Sequence, residues 1–330
     1  MSSVFPAEIT TPLRIGTRGS PLALAQAHAL RDRLAAVHPM LAEPGALEIA
    51  AIDTTGDKIL DRSLADIGGK GLFTQEVEAA LRQGRVRMAV HSMKDVPTEL
   101  PAGLVIACML PRADPRDVLV TGPNGPDAGA GIAGLPEGAV VGTASLRRRA
   151  QLLAARPDLQ VITFRGNVQT RLRKLEAGTA DATLLALAGL RRLGLGLAAD
   201  GLGAPLSIDA MLPAVGQGAI GVEIREDDAE CRALLAPLDH APTTLCVSAE
   251  RALLAVLDGS CHTPIGVLAV VDGEDRVHIR ALLAMPDGSV THWAERRGAA
   301  TEAPALARDA GSALRAAAGP ELRAILAADR

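Results

Sequence analysis

The sequence predicts an α/β protein of three domains: two built alike from parallel strand–helix units, then a smaller α+β domain. Three observations carry this. Short apolar runs alternate with helix-period segments through the first two thirds of the chain. The turns GTRGSPL (Gly16–Leu22) and GTASL (Gly142–Leu146) repeat one pattern, Gly-Thr, then a serine cap, then a helix. From about Leu238 the pattern changes to a helix, alternating strands around Asp-Gly turns, and a closing helix.

The elements follow in order. LRIG (Leu13–Gly16) reads as a strand, with the helix PLALAQAHALRDRLAAV behind Ser20 as N-cap and Pro21 as first helical residue. LEIAAID is a second strand. TTGDKILDRSLADIGGKGLF is polar and punctuated by glycine, as in a mobile loop. TQEVEAALRQG is a helix closed by Gly84, and VRMAVHSM a buried strand that stops at His91-Ser92-Met93-Lys94-Asp95. The breaker-rich stretch Thr121–Gly138 opens the second set. There AVVGTASLRRRAQLLAARP and LQVITFRGNVQTRLRKLEAG each read strand, turn, helix, the second capped by Asn167 and ended by Gly178. ADATLLALAGLRRLG is a strand feeding a loop or helix. In the last domain TTLCVSAERALLAVLDGS is helical. Strands then alternate around Asp272-Gly273 and Asp287-Gly288, and APALARDAGSALRAAAG closes as a helix.

Composition narrows the function. A net charge of −4 over 330 residues argues against a nucleic-acid binder. The aromatics are Phe5, Phe73, Phe164 and Trp293, too few for base-stacking platforms. No run approaches a membrane span and no secretory signal is legible, so a cytoplasmic chain with reduced thiols is expected. The four cysteines, Cys108, Cys231, Cys246 and Cys261, form no C-x-x-C pair and H-E-x-x-H is absent, so no metal is expected. GLGLAA (Gly194–Ala199) does not end a clear strand, and IGGKGLF lacks the P-loop spacing.

In open α/β sheets ligands bind beyond the carboxyl ends of the strands. Arg18, Lys94, Asp95, Arg147, Arg148 and Arg165 all fall there. Between Thr143 and Arg192, ten Arg and Lys residues face three Asp and Glu. Such a cationic stretch in an acidic protein suits a small polyanion, and guanidinium binds carboxylates bidentately. The alternative is a solvated helix face. Arg147, Arg148 and Arg149 point about 100° apart in succession, so all three cannot meet one ligand; Arg147 and Arg148 are the expected pair. Asp95 either caps the turn before Pro97 or belongs to the site. In the site it would repel an anion unless the ligand also bears N–H groups or develops positive charge. Cys261, in LDGSCHTPIG, stands at a tight turn that exposes its thiol, whereas Cys108 and Cys246 read as buried apolar residues. A Cys261–His262 dyad is disfavoured, because such pairs come from distant segments.

These residues sit in GTRGSPLALAQ, TTGDK, GGKGLF, AVHSMKDVPTELP, PRADPRDVLV, VGTASLRRRAQL, FRGNVQTRL, LALAGLRRLGL, LPAVGQGAIG and AERALLAVLDGSCHTPIG. With these motifs in this order the chain resembles the porphobilinogen deaminase family, also called the hydroxymethylbilane synthases, from about Leu13 to beyond Gly288. The resemblance implies two similar doubly wound α/β domains like type-II periplasmic binding proteins, at 1–112 with 214–236 and at 113–213. A smaller α+β domain, 237–330, would carry the cofactor cysteine. It implies a dipyrromethane cofactor in thioether linkage to Cys261. Four porphobilinogens would be condensed head to tail with loss of ammonia, and water would release hydroxymethylbilane for uroporphyrinogen III synthase. A transferase that works as a monomer is implied.

By the same resemblance Asp95 is catalytic, holding pyrrole N–H groups and stabilising the cationic centre. Arg18, Arg147, Arg148, Arg165, Arg171 and Arg192 would bind side-chain carboxylates. Ser20, Thr143, Ser145, Gly166 and Gln26 would contact cofactor or substrate. Lys70 and Lys94 would be carboxylate partners, and Phe73 would pack on a pyrrole ring. Family members often carry two glycines before the cofactor cysteine; here the pair is Gly259-Ser260. A binding protein for an organic anion and the sensor domain of a transcription regulator are the competing readings. Cys261 speaks against the first, and the lack of a helix-turn-helix signal before the α/β region against the second.

Overall fold

A computed structural model describes residues 12–58, 71, 73–122, 125–196, 203–258 and 263–328. In chain order they form β1 (Leu13–Arg18), α1 (Pro21–Val37), β2 (Leu47–Ile52), a helical turn Thr55–Lys58, α2 (Gln75–Arg82), β3 (Met88–Ser92) and β4 (Leu104–Met109). There follow β5 (Asp117–Thr121), β6 (Val140–Gly142), α3 (Leu146–Ala155), β7 (Gln160–Ile162), α4 (Val168–Glu176), β8 (Ala182–Ala186), α5 (Leu187–Arg192) and β9 (Ala204–Pro205). The chain ends through β10 (Ile220–Arg225), α6 (Ala229–Leu235), α7 (Ala241–Val256), β11 (Ile265–Val271), β12 (Arg276–Ala284), β13 (Thr291–Ala299), α8 (Ala303–Ala317) and α9 (Pro320–Ala328).

The described residues divide into two compact units. One is drawn from residues 12–58, 71, 73–112 and 219–244, the other from residues 113–122, 125–196, 203–218, 245–258 and 263–328. The first holds a five-stranded sheet in the order β2-β1-β3-β10-β4. β1, β2 and β3 are parallel, β10 runs antiparallel to β3 (Val222 opposite Val90), and β4 antiparallel to β10. The helix α1 starts where Ser20 Oγ accepts the Ala23 amide at 3.3 Å, with Pro21 at its first position. Ala27, Leu30 and Leu34 lie on one stripe at helical spacing and are buried against Ile15, Met88, Val90 and Val222. Removing the fully buried Leu34 side chain beyond Cβ would cost about 2–5 kcal/mol. On the opposite face Val77, Ala80 and Leu81 of α2 pack on Val86, Ala89 and Leu104. Helices therefore cover both faces.

The second unit holds a sheet of the same design, ordered β7-β6-β8-β5-β9. β6, β7 and β8 are parallel, β5 is antiparallel to β8, and β9 antiparallel to β5. Leu119 faces α3 with Val141 and Leu184. Its neighbours Val118 and Val120 face Leu175 of α4 and Leu190 of α5. That is the period-2 alternation of a sheet buried on both sides. Gly142 is required by packing, because a Cβ there would lie 2.5 Å from Phe164 Cγ.

The sequence reading expected parallel units, and the two sheets are mixed. In each, one strand runs against the other four; β10 in the first and β5 in the second come from the far side of a chain crossing, after β9 and after β4. Local periodicity carries no record of that pairing. The same unit contains the small sheet β11-β12-β13, antiparallel throughout, with Ile279 opposite Ala269 and Arg296. Ala249 and Leu253 of α7 and Leu314 of α8 share its apolar cluster. Both Asp-Gly turns are present. In the first the left-handed residue is Asp275 (φ 53°) rather than Gly273, and Asp272 Oδ1 accepts the Glu274 and Arg276 amides at 3.0 Å each. In the second it is Gly288 (φ 74°).

Candidate active site

In the first unit the candidate side chains stand at the carboxyl ends of β1 and β3. β1 ends on Arg18, and Ser20 caps the helix that follows. β3 ends at Ser92, and Met93–Asp95 forms one 3-10 turn before Pro97. That turn is pinned because the Met93 amide donates to Ala219 O at 3.1 Å. The sheet thereby brings Arg18 and Asp95 together, Nη1 to Oδ2, at 3.9 Å, with both side chains partly accessible. The Arg18 guanidinium also lies over the Phe73 ring, its Cζ 4.1 Å from the centroid. Gln26, buried in α1, donates from Nε2 to Ser92 Oγ at 2.8 Å and so ties the helix to the end of β3. Lys94 lies in the same turn as Asp95.

In the second unit Thr143, Ser145, Arg147 and Arg148 follow β6. Ser145 caps α3 by accepting the Arg148 amide, and Thr143 Oγ1 accepts the Ser145 amide at 3.2 Å. Arg147 and Arg148 are buried, and their common partner is Asp117, the fully buried first residue of β5. Arg148 Nη2 donates to Asp117 Oδ1 at 2.7 Å, and Arg147 Nη2 forms an ion pair with Oδ2 at 2.8 Å. Each guanidinium also donates to a carbonyl, Arg147 Nη1 to Leu212 O at 2.6 Å and Arg148 Nη1 to Leu184 O at 2.7 Å. Gln217 Nε2 adds a bond to Asp117 Oδ1 at 3.0 Å. Burial pushes the Asp117 carboxyl up, but the two arginine charges and the bonds from Arg148 and Gln217 outweigh it and hold it at about 2. Burial lowers Arg147, Asp117 opposes that, and the like charge of Arg148 adds to it.

Arg165 is buried at the end of the β7 unit, and its carbonyl accepts from Lys174 Nζ at 3.1 Å. Arg171 Nε donates to Gly166 O at 2.9 Å. Gly166 has φ 121°, and a Cβ there would lie 2.6 Å from Thr170 Cγ2, so the turn needs glycine. Arg192 donates to Gly218 O at 2.7 Å, and burial lowers its guanidinium to about 10. Lys70 and Cys261, with the neighbouring His262, lie outside the described residues. Cys108, Cys231 and Cys246 are buried; burial pushes Cys108 and Cys231 up to about 12. No group of three or more His, Cys, Asp or Glu among the described residues could hold a metal ion.

Sequence reasoning missed Asp117. Its signal lay in PRADPRDVLV, where a carboxylate opens an apolar strand, a costly place for a charge without a partner. The Nε–H groups of Arg147 and Arg148 are buried and meet no acceptor among the described residues. Two guanidinium charges against one carboxylate leave one positive charge over. Buried donors with a surplus of positive charge suit a ligand that brings its own carboxylate, and dipyrromethane, which bears carboxylate arms, fits that donor set.

Two alike mixed sheets and a smaller antiparallel sheet define a multidomain α/β protein. Residues 13–233 match the porphobilinogen deaminase, dipyrromethane cofactor-binding domain model, and residues 244–316 match the porphobilinogen deaminase C-terminal domain model. The chain is 54% identical over 310 residues to the chloroplastic porphobilinogen deaminase of Oryza sativa subsp. japonica, covering 93% of this chain and 84% of that one. It is 56% identical over 304 residues to the porphobilinogen deaminase of Paracoccus denitrificans, covering 92% and 94%. The chain belongs to the porphobilinogen deaminase family. Among solved structures it is similar to an ABC transporter from Parabacteroides distasonis, at 14% identity, 74% coverage of each chain and a TM-score of 0.41.

Proposed function

We propose that this chain condenses porphobilinogen head to tail, with loss of ammonia, into hydroxymethylbilane, as a transferase working on a dipyrromethane held at Cys261. The observation that carries the reading is the turn at the end of β3. It presents one carboxylate, Asp95, beside Arg18 at a sheet end otherwise furnished with cations. When bound, dipyrromethane supplies a nucleophilic pyrrole α-carbon. Asp95 accepts hydrogen bonds from pyrrole N–H groups and faces the positive charge that develops as the substrate C–N bond breaks and ammonia leaves. Asp95 would also take up the proton that the condensation releases. Arg18, Lys94, Arg147, Arg148, Arg165, Arg171, Arg192 and Lys70 take acetate and propionate arms, and Phe73 packs on a pyrrole ring. Ser20, Gln26, Thr143, Ser145 and Gly166 shape the contacts of cofactor and substrate.

The working division is 1–112 with 214–236, 113–213 and 237–330, the last carrying Cys261. We take the compartment to be the cytoplasm, where thiols stay reduced. No described helix is long and apolar enough to cross a membrane. We take the chain to act as a monomer and to hand its product to uroporphyrinogen III synthase. Incubation with porphobilinogen tests the reading. Ammonia release, together with a linear tetrapyrrole that cyclises to uroporphyrinogen, is expected; a protein that binds porphobilinogen without consuming it would refute catalysis.

A further inference from the structure

Arg147 and Arg148 are neighbours on α3, so their side chains leave the helix about 100° apart. They also carry like charges, and nothing in a helix turns two such groups toward one point. Asp117 does so from outside the helix. Sheet alternation places it on the same side as Leu119, beneath α3, and it is completely buried. One carboxylate oxygen engages each arginine, at 2.7 and 2.8 Å, while Leu184 O and Leu212 O hold the other Nη of each. Gln217 orients the carboxylate in turn, spanning Pro115 O at 2.6 Å and Asp117 Oδ1 at 3.0 Å. Three of the four Nη groups donate to protein acceptors, Arg147 Nη2 is ion-paired with Asp117 Oδ2, and both Nε–H groups meet no acceptor among the described residues.

We propose that Asp117 is the positioning residue of this arginine pair: it draws the two guanidinium groups together, cancels one of their charges, and leaves a bracket suited to a single ligand carboxylate. This rests on the reading that Arg147 and Arg148 bind the acid arms of the pyrroles. Two such carboxylates would leave the buried cluster with a net negative charge; one leaves it neutral.

The test uses the full-length, cofactor-bearing enzyme. Asp117→Asn keeps the shape but turns an amide N–H toward one guanidinium, displacing that arginine. KM for porphobilinogen should rise about tenfold or more, the scale of one charge-assisted hydrogen bond. A merely structural role would reduce the fraction of active protein, lowering apparent kcat at unchanged KM. If Asp117→Asn does not fold, Gln217→Met decides. It leaves every charge in place and frees the carboxylate, so KM should rise at least twofold, and an unchanged KM overturns the proposal. Arg147→Gln and Arg148→Gln separate the two layers. If neither raises KM, the carboxylate-binding reading fails and the proposal with it. If both do and Asp117→Asn does not, the role of Asp117 alone is overturned.

Discussion

At the scale of single residues, the proposed chemistry at the end of β3 depends on one carboxylate. Asp95→Ala should keep the fold, because the side chain is partly exposed and its ion pair with Arg18 is long at 3.9 Å. An exposed pair of that kind contributes at most about 1 kcal/mol. The rate of ammonia release should nevertheless fall by about a hundredfold or more, the usual cost of losing a preorganised electrostatic partner. Steady-state kinetics with a thermal melt would check both halves. Arg147→Leu and Arg148→Leu should each stall elongation at a particular ring count, seen by intact-protein mass spectrometry as one accumulating species. An even distribution of species and unchanged turnover would count against both arginines. These positions were legible as strand-end residues because their turns carry capping serines. That both arginines are already held by a protein carboxylate was not, since Asp117 lies 30 residues before Arg147 and meets it only through the β5–β8 pairing.

At the scale of elements, α2 illustrates how a helix can cover a sheet face with a charge. Glu78 is buried in α2 over the face that carries His91 of β3 and Glu223 of β10. His91 Nε2 lies 3.0 Å from Glu223 Oε2, while Glu78 Oε1 and Glu223 Oε1 have no hydrogen-bond partner among the described residues. Burial raises the Glu78 carboxyl above its ordinary 4.5; Thr74, His91 and Arg82 oppose the rise and Glu223 adds to it. The folded state therefore holds this proton more tightly than the unfolded chain. The stability it contributes is complete below the ordinary value and is lost as pH rises through the raised one. Glu78→Gln cannot lose that proton, so its melting temperature should fall less than the parent's between acid and neutral pH. Parallel slopes for the two proteins would show that Glu78 is not the titrating group. Helices and caps were the most readable elements: Ser20, Ser145 and Asn167 all cap where the sequence places them. β4, β5 and β10 were not singled out, because antiparallel partners brought in by chain crossings leave no mark in local periodicity.

At the scale of the whole molecule, two sheets of one design and a small antiparallel sheet carry an active-site reading that converges on a covalent cofactor. Thiol chemistry offers a count. Cys108, Cys231 and Cys246 are buried, so native protein should leave them unlabelled, and denaturant should expose three reactive thiols, not four, if Cys261 is in thioether linkage. Four would mean a free Cys261. The most direct measurement is the intact mass of the purified protein before and after porphobilinogen is added. The account predicts a mass above that of the bare chain by one dipyrromethane, absent from Cys261→Ser, and ring-by-ring increments with substrate. A purified, active protein at the bare chain mass would contradict it.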